Sequence, residues 1–404
     1  MFQAALGIQQ PWYVDKATFD PDKSRLDIHL EFAKGARFPC PEGDHDSCPV
    51  HDTARKTWRH LDFFQHQAYL HAPVPRVVCP EHGTRQVAVP WARPGSGFTL
   101  LFEALVLELA PHMPVAALAR LVRCHDTRIW RVIEHYVDKT RSEADYCEVT
   151  SIGIDETSAR RGQDYVSLFM DLGVEHPKVL FATEDRDAST VERFAQDLGD
   201  HGGDPELVTS VCCDMSPAFQ VGVEEHLSNA DITFDRYHVI QQLGAAVDAV
   251  RRSERADRPE LTRTRYIWLK RPDNLTRRQK ETLAWLNRPS HQLATVRAYR
   301  WRLDFDAFYE QPPELAEAYL DRWCYGAKRS RLEPIKDFVR MVEDHRDGIL
   351  QWHATKVSNG VLEGINSLVQ AAKRKARGYR TKKNLITMVY LIAGRLPLPT
   401  THTI

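Results

Sequence analysis

Apolar residues recur with different periods along the chain, and each change of period marks a segment. Over the first 95 residues, alternating runs such as Leu26-Asp27-Ile28-His29-Leu30-Glu31-Phe32 predict short strands, and the stretch closes on the turn-rich Pro90-Trp91-Ala92-Arg93-Pro94-Gly95-Ser96-Gly97. A separate N-terminal module over 1–95 follows. From Phe98 to about Lys139 the spacing is helical, with interruptions at His112-Met113-Pro114 and Arg123-Cys124-His125-Asp126, which predicts three short helices in a segment covering 96–148. Between 149 and 240 strands are expected at 151–155, 165–172, 178–183, 207–213 and 231–235, with helices at about 189–199 and 216–228. That alternation implies a mixed α/β sheet. Residues 241–350 read as helical, broken near Arg271-Pro272-Asp273, Arg288-Pro289-Ser290 and Gln311-Pro312-Pro313, and 351–404 adds helices over about 354–377 and 382–394.

At 404 residues, 43% apolar and 27% charged, the chain is long enough for several domains with a sizeable core. No run of about 18 apolar residues and no basic-then-apolar N-terminus is present, so neither a membrane span nor a secretory signal is indicated and a cytoplasmic location is expected. The eight cysteines are scattered through regular segments and fit a reducing compartment better than a disulfide framework. The net charge of −1 conceals a strong asymmetry. From Asp171 to Asp235 there are 15 acids and 3 bases, from Arg251 to Arg302 15 bases and 5 acids, and Lys373, Arg374, Lys375, Arg377, Arg380, Lys382 and Lys383 place seven bases in eleven residues. An acidic centre flanked by basic segments suits a metal site beside DNA-gripping surfaces, and so a nucleoid-associated protein.

Within that acidic centre, Asp155 and Asp214 each stand where a predicted strand ends, and Glu363 stands on a predicted helix. A carboxylate at a strand end reaches solvent from a fixed backbone. Three such groups can hold Mg²⁺ or Mn²⁺ through oxygen, and two metals roughly 3.5–4 Å apart activate the attacking oxygen and stabilise the leaving oxygen of an in-line phosphoryl displacement. Glu156 competes with Asp155, and strand alternation places it facing outward. Asp235 is a fourth candidate that could equally cap the following helix, and His238 is expected to be packed rather than to act as a base.

The strings Ile154-Asp155-Glu156, Asp214-Met215, Phe234-Asp235-Arg236-Tyr237-His238-Val239 and Ser358-Asn359-Gly360-Val361-Leu362-Glu363-Gly364-Ile365-Asn366, followed by Lys373-Arg374-Lys375-Ala376-Arg377-Gly378-Tyr379-Arg380, resemble the bacterial insertion-sequence transposases of the ISL-three (ISL3) family over nearly the whole chain. The resemblance implies a DDE transposase with a ribonuclease-H-like catalytic core over 149–240 and 351–404, the latter ending in a basic tail. It makes Asp155, Asp214 and Glu363 the catalytic triad and 241–350 an α-helical insertion. The fold class expected is therefore multidomain α/β, with a zinc-binding module, a helix-turn-helix domain and a ribonuclease-H-like mixed sheet.

Cys40, Cys48, His51, Cys79 and His82 include the pairs Cys48-Pro49-Val50-His51 and Cys79-Pro80-Glu81-His82, whose spacing lets both side chains of a knuckle face one tetrahedral zinc. The similar family commonly opens this motif Cys-Pro-x-Cys-Gly, whereas here Gly43 replaces the second cysteine. Cys40, Cys48, Cys79 and His82 are the favoured ligands of a structural Zn²⁺, with His51 or His45 as substitutes for Cys48. Without zinc, so short a module would have little core to hold it.

Val115-Ala116-Ala117-Leu118-Ala119-Arg120-Leu121-Val122, a turn, and Asp126 to Glu134 have helix-turn-helix spacing, which would present Thr127, Arg128 and Arg131 to a major groove and turn Ile129, Val132 and Ile133 inward. On the Glu363 helix, Asn366 and Gln370 share the carboxylate's face, and Lys373, Arg374 and Arg377 extend it toward phosphates, with Arg380 in the turn beyond. The function expected is a homodimeric transposase that binds terminal inverted repeats in double-stranded DNA, cuts there, and joins the freed 3′-hydroxyl to target DNA. A catalytically silent DNA-binding regulator is the alternative, and Tyr379, near Arg377 and Arg380, is the one hint of a tyrosine recombinase.

Overall fold

The computed structural model describes residues 2–160, 162, 164–357 and 360–402. Ser358 and Asn359, which open the string carrying Glu363, lie outside the described residues. The chain forms two compact units, Met1–Thr140 with Leu396–Ile404, and Arg141–Arg395.

In the first unit, α1 (Phe2–Ala5) precedes β1 (Trp12–Asp20), β2 (Arg25–Phe32), β3 (Arg37–Phe38), β4 (Cys48–Phe63), β5 (His66–Cys79) and β6 (Gly83–Gln86). They form a six-stranded sheet in the order β1-β2-β5-β4-β3, with β6 on β5. The strands are longer than the short runs expected, because β4 and β5 pair antiparallel from Val50↔Val77 to Phe63↔His66. That register returns the end of β5 to the start of β4 and so carries Cys79 to Cys48. Trp12, Ile28, Leu30, Trp58, Leu70, Val74, Val77 and Trp91 are buried in one apolar cluster, so the module has a core of its own and does not depend on zinc alone for one, contrary to expectation. Nor is Pro90 to Gly97 a loose linker. Arg93 Nε and Ser96 Oγ donate to the fully buried carboxylate of Glu103 at 2.9 and 2.7 Å, and Tyr136 Oη donates to it at 2.9 Å. A buried anion left without those donors would be costly.

Helices α2 (Leu100–Leu109), α3 (Val115–Leu121) and α4 (Asp126–Ser142) follow. The third is long, not short. Beyond the second unit the chain returns here, where Thr401 donates to Glu108 from its backbone N at 2.6 Å and its hydroxyl at 2.9 Å.

The second unit opens with β7 (Ser151–Arg160), β8 (Asp164–Asp171) and β9 (Lys178–Glu184), then α5 (Ser189–Asp200), β10 (Ser210–Cys213), α6 (Pro217–His226) and β11 (Asp231–Phe234). The sheet order is β11-β10-β7-β8-β9. β8 runs antiparallel to both β7 and β9, whereas β10 is parallel to β7 and to β11. Two calls change. β7 does not stop at Asp155, because Thr157 and Ser158 stay paired with Val166 and Tyr165. β10 starts late, because Asp204 caps a 3₁₀ turn over Pro205–Leu207.

The basic helical segment comprises α7 (Arg236–Glu254), α8 (Arg265–Trp268), α9 (Arg277–Leu286), α10 (Ala294–Asp306), α11 (Pro313–Ala327), α12 (Glu333–Asp344) and α13 (Arg346–Thr355), with breaks where the prolines predict them. The helix expected over 354–377 is divided. Lys356 adopts a left-handed conformation, φ 52°, that ends α13, and α14 (Gly360–Ala376) begins afresh before α15 (Lys382–Ala393). Leu362 of α14 packs so closely on β7 that a Cβ at Gly153 would lie 2.6 Å from it.

Candidate functional site

Strand alternation turns Gly153, Asp155 and Thr157 of β7 toward α14, and three α14 side chains one turn apart meet that strand. Asn366 Nδ2 donates to Asp155 Oδ2 at 3.2 Å and to the Glu156 carbonyl at 3.0 Å. Gln370 Nε2 donates to Thr157 Oγ1 at 2.6 Å and Lys373 Nζ to the Ser158 carbonyl at 2.5 Å. Lys373 is thus bound to the strand and is not presented freely to phosphate as expected. Arg374, Arg377 and Arg380 are exposed.

Asp155 is mid-strand, and burial raises its pKa above the usual carboxylate range, with the backbone N–H of Glu156 and then His238 and Asn366 opposing. Glu156 lies on the other face of β7, yet it does not face outward as alternation alone implied. Its side chain is only 14% exposed, Arg186 Nη1 stands 3.4 Å from Oε2, and Oε1 is buried with no hydrogen-bond partner. Burial pushes its pKa up to about 7, opposed by Arg186 and reinforced by the negative charges of Asp214 and Asp155. Asp214 follows β10, the neighbour of β7, and accepts from the Ser216 backbone N at 2.9 Å.

Asp235 follows β11 and is 2% exposed. It does what a helix cap does, accepting from the backbone N of Tyr237 and of His238 at 3.0 and 3.1 Å. Its Oδ2 also lies 2.8 Å from His238 Nδ1, and this contact is the main cause that raises the His238 pKa, with Asp214 and Asp155 adding to it. His238 is therefore the common neighbour of three aspartates, and it is paired and packed, as its sequence context suggested. Glu363 is exposed and lines a cavity of about 330 Å³ with Asp235, Arg236 and Trp352. Among the described residues, no three carboxylates come within 4.8 Å of one another. The orphaned buried acceptors, Glu156 Oε1 and Asn366 Oδ1 beside two carboxylates, are what a divalent cation would satisfy.

In the first unit, Cys40, Cys79 and His82 place one ligand atom each within 4.8 Å of the others. His82 Nδ1 is 3.6 Å from Cys40 Sγ and 3.4 Å from Cys79 Sγ. Burial opposes ionisation of Cys79, but the backbone N–H groups of His82 and Glu81 overcome it and bring its pKa down to about 6. Cys48 is buried, and burial, Cys79 and Cys40 together raise its thiol. His45 pairs with Glu81 at 3.4 Å and the exposed His51 with Asp52 at 3.3 Å, so both substitutes are engaged elsewhere. A Cβ at Gly43 would lie 2.5 Å from His82 Cε1, which accounts for the departure from Cys-Pro-x-Cys: the imidazole occupies the space of a side chain at 43.

On α4, Ile129, Val132 and Ile133 are buried, and Thr127, Arg128 and Arg131 are exposed. The Arg128 guanidinium stacks 4.2 Å from the Phe98 ring centre. Tyr379 is half-buried, and burial pushes its hydroxyl up to about 12, which makes it a poor nucleophile.

The sequence did not single out Glu156 as facing Asp214, nor Asn366 as the group that holds Asp155. The second carried a signal, since Asn366, Gln370 and Lys373 repeat at spacings of four and three. No helix of the described residues is long and apolar enough to cross a membrane.

Residues 152–389 match the transposase model of the DDE ISL3 type, residues 87–137 the helix-turn-helix domain of transposase family ISL3, and residues 36–82 the zinc-finger of transposases IS204/IS1001/IS1096/IS1165. The transposase for insertion sequence element IS1557 of Mycobacterium tuberculosis is 26% identical over 444 aligned residues, spanning 100% of this chain and 97% of that one. The transposase for insertion sequence element IS1001 of Bordetella parapertussis is 26% identical over 395, or 94% of each chain. A chain in the cryoEM structure of a simian T-cell lymphotropic virus intasome aligns with 46% of this chain and 67% of its own length at 14% identity, with a TM-score of 0.17, too low to bear on the fold.

Proposed function

Since the chain belongs to the ISL3 family of transposases, we propose that it binds the terminal inverted repeats of an insertion sequence, cuts the DNA there and joins the freed 3′-hydroxyl to target DNA, with Asp155, Asp214 and Glu363 as the metal-holding carboxylates. The observation that carries this reading is the hydrogen bond from Asn366 to Asp155, which ties the helix bearing Glu363 to the strand bearing Asp155 one helical turn away. The negative charge of Asp214 bears on Glu156 and His238, which supports its assignment to the same site. Magnesium or manganese held there would supply activation of the attacking oxygen and stabilisation of the leaving one.

The chain's own residues have distinct tasks. Asn366 fixes the rotamer of Asp155, and Asp235 holds His238 in place and favours its protonated form beside the aspartates. Arg374, Arg377 and Arg380 grip phosphates, and Thr127, Arg128 and Arg131 contact the repeat. Cys40, Cys48, Cys79 and His82 would hold a structural zinc, and two ends cut together imply a homodimer. Strand transfer of labelled end DNA with Mg²⁺ tests the assignment. Asp214→Asn is expected to lower it by at least ~10²–10³-fold, the scale of a lost charge-stabilising group, while leaving end binding unchanged. Full activity of the variant would overturn the reading.

A further inference from the structure

Two cavities open along α7 and share Tyr237, Ile240 and Arg302. The smaller, about 330 Å³, has Asp235, Asp306 and Glu363 on its wall together with Arg236, Arg271 and Arg302. The larger, about 750 Å³, is lined by Arg251, Arg252 and Arg265 around a single carboxylate, Asp248. Arg251 Nε lies 2.8 Å from Asp248, Arg252 Nε 3.5 Å and Arg265 Nε 3.6 Å, so three guanidiniums share one negative charge and the larger cavity is positive.

Between them stands Tyr237. Its backbone is fixed by the Asp235 cap, yet 52% of the residue is exposed, an unusual position for a large aromatic in the first turn of a helix. Trp352, also on the smaller cavity, cannot take its place, since it is 8% exposed with Lys356 Nζ 4.4 Å and the Arg236 guanidinium 5.7 Å from its ring. Arg302 is 5% exposed and donates through Nη1 to the Trp268 and Lys270 carbonyls, while its buried Nε has no partner. The charge on this side chain is thus held rigidly where both cavities meet.

An accessible ring beside a cluster of cations is the pattern that holds unpaired nucleic acid, because every base has a face to stack and every linkage a phosphate to neutralise. A cavity of about 330 Å³ has room for a single base. We propose that the Tyr237 cleft receives an unpaired nucleotide of the DNA end next to the cut, with the base stacked on Tyr237 and its phosphates among Arg252 and Arg265. This rests on the transposase reading above and adds to it a specific site for single-stranded DNA.

The test uses the zinc-loaded full chain in Ca²⁺, so that no strand is cut, and end duplexes either fully paired or carrying three unpaired terminal nucleotides. Wild type is expected to prefer the unpaired end. Tyr237→Ala should weaken binding to it about 10-fold, within the range for one stacked base, and change binding to the paired end less than twofold. Tyr237→Phe should behave as wild type, and Arg265→Gln should reduce the salt dependence. A 5-iodouracil in the unpaired end should photo-crosslink to the peptide carrying Tyr237. Equal losses on both DNAs, no loss with Tyr237→Ala, or equally tight binding of a free mononucleotide would overturn the proposal. Asp214→Asn keeps the two readings apart, since it should bind like wild type. Full strand transfer by that variant would refute the carboxylate assignment while leaving the binding contrast intact.

Discussion

In the N-terminal module, Cys79 and His82 come from one knuckle and Cys40 joins them, so that three ligand atoms already lie within 4.8 Å, with the buried Cys48 outside that group. At the sheet, Asp155, Asp214 and Glu363 come from β7, the end of β10 and α14, and no three carboxylates among the described residues approach as closely. Electrostatics divide the sites only at one ligand. Backbone N–H groups draw the Cys79 thiol down to about 6 although burial, Cys79 and Cys40 raise Cys48, whereas burial and neighbouring acids push Glu156 up to about 7. One site is organised in advance of its ion. The other keeps like charges apart, and a cation would be part of what closes it.

The largest effect should come from the organised site. Cys79→Ala and Cys48→Ala are expected to remove bound zinc, measured by atomic absorption, with an affinity loss beyond the ~10–100-fold that changes outside the ligand set produce. His51→Ala should retain zinc. Because Trp12, Ile28, Leu30 and Trp58 form a core without the metal, hydrogen exchange should rise around 36–50 and 79–86 while β2 and the middle of β5 stay protected. Full zinc in Cys48→Ala with none in His51→Ala would reverse the assignment of the fourth ligand.

The same contrast governs what could be read from the sequence. Cys79 and His82 are legible because the spacing of a knuckle is local, and so are the prolines at 272, 289 and 312 that break the helices, whereas Cys40 has lost its local partner to Gly43. Asp155, Asp214 and Glu363 are legible as motifs, but their setting is not. Thr157 and Ser158 look like the end of a strand, and only pairing with β8 keeps them in it. Alternation puts Glu156 on the opposite face from Asp155, but what covers that face depends on Asp214 and Arg186, dozens of residues away. Lys373 reads as a DNA contact until α14 is docked on β7 and its ammonium meets the Ser158 carbonyl.

An intermediate effect is expected at the joint between strand and helix. Asn366→Ala removes the donor that orients Asp155, and strand transfer should fall ~10–100-fold, the usual scale for a residue that positions a metal ligand. As a positioning residue it should leave end-DNA affinity within twofold and raise the Mg²⁺ concentration needed for half-maximal rate. An unchanged Mg²⁺ dependence with an equal fall in rate would mean that Asn366 only supports packing.

The smallest effect is on stability, and its sign distinguishes the strained site from the organised one. With a pKa of about 7 against the ordinary value of 4.5, Glu156 binds a proton in the folded chain that the unfolded chain has released, so stability is unaffected below about pH 4.5 and is lost as pH rises toward 7. Glu156→Gln keeps the shape and removes that titration. At pH 4.5 the two proteins should unfold together. By pH 7.5 the variant should be more stable, by on the order of 1–3 kcal/mol, as read by denaturant unfolding of the zinc-loaded chain. Mg²⁺ or Mn²⁺ should then narrow the gap, because a cation held by Asp155, Asp214 and Glu363 offsets the negative charges that bear on Glu156, which stabilises the ionised wild type and does nothing comparable for the neutral variant. A gap that is constant with pH, or that divalent metal leaves untouched, would show that Glu156 is no more than a buried neighbour of the site.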